Sequence, residues 1–190
     1  MSEIGPTIKV ERYGGGPIVI RDYDPTWPQQ FDEERKRLEA ALGSTAIVIE
    51  HVGSTAVPGL AAKPIIDVLV GVRSLAQARS VCIGSLPKLG YTYMAEYETW
   101  LPGEMLFRKA VPGPWTHHVH VMEESSPRWD ELVLIRDYLR RYPEIARAYG
   151  DLKRALALVL GDDIAGFRNA KRPFLEALMI KARAERAAAR

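Results

Sequence analysis

The chain has 190 residues, 47% of them hydrophobic, with 26 Lys/Arg against 24 Asp/Glu for a formal net charge of +2, which fits one domain with an ordinary core and excludes the strongly basic face of a duplex nucleic-acid binder. One cysteine, Cys82, excludes an internal disulfide and any cysteine-cluster metal site. The start MSEIGPTIKV lacks a basic stretch followed by an apolar run, and no window reaches the roughly 18 apolar residues of a membrane span, so a soluble, cytoplasmic protein is expected.

In chain order, residues 1–17 read as a flexible leader, broken by GGGP at 14–17. IVIRDY (18–23) predicts a first strand. A helix is expected over 24–42, with Asp24 as cap and Pro25 at the first helical position. Its residues Phe31, Leu38 and Leu42 fall on one face, and the charged run from Glu33 to Arg37 forms a solvated one. Strands follow at 46–52 and 64–72, the second apolar on both faces, as a central covered strand would be. Residues 74–90 predict a helix capped by Ser74. Further strands are expected at 91–100, in MLFRKA (105–110) and at 116–122. From Ser126 the pattern turns helical: one helix with Pro127 first, one starting at Pro143, and one after Gly161-Asp162-Asp163, whose last dozen residues are expected to fray. The expected architecture is a mixed α/β core over 18–125, with residues 126–190 as a C-terminal helical part of the same domain.

One carboxylate stands out. Asp67 lies in the middle of PIIDVLVGV, where an inward charge is costly unless something pairs with it. Gly53-Ser54-Thr55 ends the preceding strand, and a glycine with small hydroxyls lets the backbone approach a phosphate. Alone, that triplet has the composition of any turn. It is no P-loop either, since Lys63 is followed by Pro64 and not by Ser or Thr. Two adjacent strands joined by this loop would bring Ser54 and Asp67 to one end of the sheet, with phosphate on the amides and Mg²⁺ on the carboxylate. Metal-assisted phosphoryl or nucleotidyl transfer needs those parts.

His118 and His120, two apart on a strand, share one side, with Val119 and Val121 on the other. Such a pair can hold a divalent metal with Asp67, or serve as acid and base. His51 either joins the site or supports the Ser54 loop, and His117 points away. Lys63, extended by the proline after it, can reach a phosphate or pair with Asp67. Arg108 and Lys109 point to opposite faces, and Lys109 is assigned as the anion contact.

The stretch EHVGSTAVPGLAAKPIIDVLV (50–70) resembles the signature of the GrpB family, also labelled UPF0157. The resemblance extends over YDPTWPQQF (23–31), THHVHV (116–121), RDYLRRYPEIARAYGDLK (136–153) and the helix around Lys171. It implies a nucleotidyltransferase-like fold, a mixed sheet with C-terminal helices. In that superfamily a Gly-Ser pair precedes a strand bearing Asp-x-Asp/Glu. Gly53, Ser54 and Asp67 match, but the second acid would fall at Leu69, and the later strand offers His118 and His120 where an acid is expected. Phe167 stands where the family leads one to expect tyrosine. Family members fused to dephospho-CoA kinase imply a link to coenzyme A metabolism.

The expected function is a metal-dependent nucleotidyltransferase-like enzyme acting on a nucleotide or phosphorylated small molecule. Gly53, Ser54, Thr55, Lys63 and Lys109 would bind phosphate. Asp67, His118 and His120 would be catalytic and would ligate a divalent metal, Mg²⁺ first, with Mn²⁺ or Zn²⁺ as alternatives. Leu69 favours a second reading, a non-catalytic nucleotide- or CoA-related binding module. A His/Asp metal-dependent hydrolase is the third. Neither a long nucleic acid nor a membrane is expected as a partner.

Overall fold

The computed structural model describes residues 17–110 and 114–189. Ten regular elements run in chain order: α1 (Trp27–Leu42), β1 (Val48–Val52), β2 (Ile66–Val72), α2 (Leu75–Ser85), β3 (Tyr91–Tyr93), β4 (Glu104–Ala110), β5 (Trp115–Glu123), α3 (Pro127–Arg141), α4 (Pro143–Leu160) and α5 (Ile164–Ala188). The strands form one mixed sheet in the order β1-β2-β5-β4-β3. β2 and β5 are parallel, while the β1–β2, β4–β5 and β3–β4 pairs are antiparallel. This is the expected mixed α/β sheet with C-terminal helices. No helix among the described residues is long and apolar enough to cross a membrane.

Side-chain alternation divides the sheet into two unlike faces. Ile66, Val68, Val70 and Val72 of β2, with Val119 and Val121 of β5, pack against Trp27, Phe31, Leu38 and Leu42 of α1 and Ala78 and Cys82 of α2. Those apolar side chains make the main core, with the Cys82 thiol as a small buried filler. On the opposite face Leu69, Val52 and Met122 lie under Trp129 of α3. Gly71 is required there, because a Cβ at that position would come 2.5 Å from Val48 and 3.1 Å from the Trp129 ring. Leu139, Tyr149 and Leu178 join α3, α4 and α5 to one another and to Val57 and Leu60 of the loop before β2. The helices are thereby held over the loop end of that second face.

Several sequence expectations hold in detail. Ser74 accepts from the Gln77 amide and Ser126 from the Trp129 amide, each capping its helix. Others are corrected. No strand forms at 18–23; Arg21 makes a single antiparallel bridge with Ala62. The ladder cannot extend, because Pro64 has no N–H to donate and the Leu60 amide already donates to Val57. Helix α1 begins at Trp27, since Asp24 closes a local turn by accepting from the Thr26 amide and hydroxyl at 2.8 and 2.7 Å. The strand expected over 91–100 ends at Tyr93, and a 3₁₀ turn over Ala95–Thr99 follows. The described C-terminal residues do not fray: α5 runs to Ala188, and near its end Tyr142 donates to Glu185 and Arg186 pairs with Asp130. Apart from Pro17, the leader lies outside the described residues.

Leu38 is fully buried between α1 and the sheet. Leu38→Ala should lower unfolding stability by about 2–5 kcal/mol, the range for a core leucine that leaves a cavity. Urea denaturation followed by circular dichroism measures it.

Candidate functional site

The register of the two central strands builds the site. Asp67 of β2 pairs with His118 of β5, and Leu69 with His120. Across β4, Arg108 lies beside His118 and Leu106 beside His120. Asp67, His118 and His120 therefore share the face opposite α1. His118 Nδ1 lies 3.1 Å from Asp67 Oδ1, and His120 Nε2 lies 3.8 Å from the same oxygen. The other ring nitrogen of His120, Nδ1, lies 2.5 Å from Glu104 Oε1.

These contacts set the protonation pattern. Burial pushes the Asp67 carboxyl up, but the hydrogen bonds and charge of His118 and His120 outweigh it and hold it well below the usual carboxylate range. Burial likewise lowers His120, yet Asp67 and Glu104 outweigh it and raise the imidazole to about 9. His118 is lowered, chiefly by burial. The resting site thus carries an ionised Asp67, a protonated His120 and a neutral His118.

The loop after β1 supports Asp67 rather than standing open for a ligand. Gly53 has φ +72°, and a Cβ there would lie 2.2 Å from Asp67 Oδ2. The glycine is needed so that the carboxylate can sit against the backbone. Thr55, expected to contact phosphate, is buried and donates its hydroxyl proton to the Ile65 carbonyl at 3.2 Å. Its oxygen also lies 3.0 Å from His51 Nε2, which must then carry the hydrogen. His51 is stacked on Phe31 at 4.6 Å and lowered by burial to about 4, so it supports the loop. Ser54 alone of the three presents its side chain to the cavity unengaged by the loop, and Lys153 of α4 donates to it at 2.8 Å.

That cavity, about 140 Å³, is lined by Ser54, Lys63, Asp67, His118, Lys153 and Lys171 around the Phe167 ring. The ammonium groups of Lys63 and Lys171 lie 4.9 and 4.6 Å from the centre of that ring, and Lys153 lies 4.5 Å from the Tyr149 ring. Burial lowers all three lysines, Lys153 to about 7 and Lys171 to about 8, with the neighbouring ammonium as the second cause for each of these two. Three lysine side chains face one ionised carboxylate here, so the cavity suits an anion.

Lys109 is a correction. It lies on the α1 face, where it donates to both oxygens of buried Glu34 at 2.9 and 3.0 Å beside the Tyr91 hydroxyl. The alternation was read rightly, but Arg108 is the member facing the site. It donates to the Tyr97 hydroxyl at 2.7 Å. Leu69, at the place of a second acid, is fully buried under Trp129. Sequence reasoning also missed Glu104, Lys153 and Lys171. The signal for Lys153 is its position on the buried stripe Ala146, Tyr149, Gly150, Lys153 of α4, and Glu104 shares the strand face of Arg108 by simple alternation.

Asp67, His118 and His120 each offer a ligand atom within 4.8 Å of the others. Two imidazoles and one carboxylate suit a first-row transition ion such as Mn²⁺ or Zn²⁺ better than Mg²⁺, which prefers oxygen. Glu104, on the far nitrogen of His120, has the position of an outer carboxylate that orients a ligating ring.

Comparison with known proteins bears on the family and the fold. The family model described as GrpB protein matches residues 17–181. UPF0157 protein YqkA of Bacillus subtilis is 41% identical over 147 residues, 77% of this chain and 42% of that protein. The chain thus spans less than half of YqkA. UPF0157 protein BH1888 of Halalkalibacterium halodurans is 35% identical over 88% of this chain and 83% of its own length. The crystal structure of conserved protein GrpB from Enterococcus faecalis superposes with a TM-score of 0.79 at 36% identity, covering 86% of this chain and 96% of that one.

Gly53→Ala should destabilise the fold by about 1–3 kcal/mol, from a left-handed alanine and the displaced Asp67 carboxylate. A urea titration beside wild type reads the shift.

Proposed function

The chain belongs to the GrpB family, and on that premise we propose that the cavity at Asp67 is a metal-assisted phosphoryl- or nucleotidyl-transfer site for a small phosphate-bearing substrate, a nucleotide or a phosphorylated metabolite. The observation that carries this reading is the convergence of Asp67 and His118 with three lysines on one cavity, with His120 beside the same carboxylate. Phosphate charge would be neutralised by Lys63 and Lys171, with Phe167 between them as an apolar floor. Arg108, held by Tyr97, adds a further positive group on the same sheet face. Asp67, His118 and His120 would hold a divalent cation, whose chemistry when bound is to polarise a phosphoryl oxygen. Where Asp67 and His120 hold the cation without His118, that ring, lowered by burial and with a buried, unpartnered Nε2, is left to take up a proton at that atom. The cavity's volume accommodates phosphate groups and leaves a base or sugar at its mouth.

Leu69 supports a second reading. With apolar packing where a second metal-binding acid would lie, the site can bind a nucleotide or a CoA-related ligand without turning it over. The two readings differ in whether ligand binding needs a cation.

Calorimetry on metal-free protein should show one Mn²⁺ or Zn²⁺ bound, and Asp67→Asn should weaken it at least about tenfold. A ligating imidazole must lose its proton, and His120 keeps one up to about pH 9. Affinity should therefore rise with pH, by up to about tenfold per unit, and level off above that value. A flat pH response, or equal binding by Asp67→Asn, would remove the cation from the site. Thermal shifts with ATP and dephospho-CoA, with and without the metal, separate transfer from simple binding: stabilisation only with the metal supports transfer.

A further inference from the structure

Lys153 is 3% exposed, on α4. Among the described residues no carboxylate lies within ion-pair distance of its ammonium, and its polar contact is the 2.8 Å bond with Ser54 Oγ. Its other close neighbour is the Tyr149 ring. An uncompensated ammonium so deeply buried is costly, and the group relieves the cost by releasing its proton. Ser54 completes the observation. Its hydroxyl proton has no acceptor among the described residues other than that nitrogen. A neutral amine supplies one, its lone pair.

We propose that Ser54 Oγ is a nucleophile and Lys153 Nζ its general base, a Ser–Lys pair that attacks a phosphoryl electrophile held in the cavity. In the step, Oγ bonds to phosphorus, the bond from phosphorus to the leaving group breaks with its electron pair, and the hydroxyl proton passes to Nζ. In a second half-reaction the oxygen of a water or alcohol acceptor bonds to phosphorus and gives up its proton, the phosphorus–Oγ bond breaks with its electron pair, and Oγ takes back the proton held on Nζ. The charged groups facing Lys153 favour the neutral amine on balance. Burial lowers it first, then Lys171 of α5, with Arg154 of its own helix a lesser cause, while Asp67 of β2 alone opposes them, leaving it at about 7. Lys63 also lines the cavity. The same ammonium groups draw an anionic phosphoryl group towards Ser54, which selects phosphoryl over acyl electrophiles.

The test uses a fluorophosphonate, with fluoride as leaving group, on the intact chain, and locates the adduct by peptide mass spectrometry. One adduct is expected, on Ser54, forming about tenfold faster at pH 8 than at pH 6 as the amine loses its proton. Lys153→Arg keeps a charge and a donor but cannot accept a proton, so it should abolish labelling, as should Ser54→Ala. No Ser54 adduct on wild type, or labelling of Lys153→Arg at the wild-type rate, overturns the proposal and leaves Lys153 an anion clamp only. The inference goes beyond the metal reading and does not rest on it: zinc binding on the same preparation can fail while Ser54 labels, and the reverse.

Discussion

A carboxylate charge inside a covered β-sheet has to be matched, and the parallel pairing of β2 with β5 is what matches it. In that register Asp67 meets His118 directly and reaches His120 at the next same-face position. Glu104 then closes the line from the neighbouring strand, so charge alternates from Glu104 to His120 to Asp67. A slip of one residue would turn every one of these groups towards α1 and the valines away from it. The register is pinned by the other face, where Val68, Val70, Val119 and Val121 are fully buried. Core packing and site geometry are thus two faces of one constraint, and a change on the apolar side is felt on the polar one.

The helices add a feature that stability alone would not select. α4 and α5 dock through Tyr149, Leu178 and their neighbours, and that docking carries Lys153 and Lys171 to the cavity beside Lys63. Three lysines near a single carboxylate disfavour one another's charge and lose hydration. Ring faces at Phe167 and Tyr149 and the hydroxyl of Ser54 offset part of that loss. What remains is an unbalanced positive site, the kind of local cost that a functional cavity carries and a core does not. The contrast with Lys109 makes the point. It too is drawn inward, but onto Glu34, with Tyr91 completing the network, and nothing there is left for a ligand.

Elements marked by period, caps and prolines were legible in the sequence. The valine-rich strands, the Ser74 and Ser126 caps and the helix starts at Pro127 and Pro143 depend on neighbours within a turn or two. So did the shared face of His118 and His120 and the anomaly of Asp67. Two of the failures share a kind of cause. Residues 18–23 have strand composition, but a strand needs a partner with free donors, and Pro64 and the Leu60 amide supply none. The C-terminal Ala/Arg run looks loose until its contacts with Asp130 of α3 and with Tyr142 just beyond that helix are known.

What the sequence determined by itself was the set of local preferences and the residues able to do chemistry, because side-chain period and turn chemistry act over a few residues. Only the tertiary structure decided which of those residues meet. Alternation says that Arg108 and Lys109 diverge, but not which side holds Asp67. Gly53 reads as a phosphate-binding glycine until the Asp67 carboxylate is found against it. Lys153, 99 positions from Ser54, comes to its hydroxyl through the packing of one helix on one loop, and no periodicity within either segment encodes that distance.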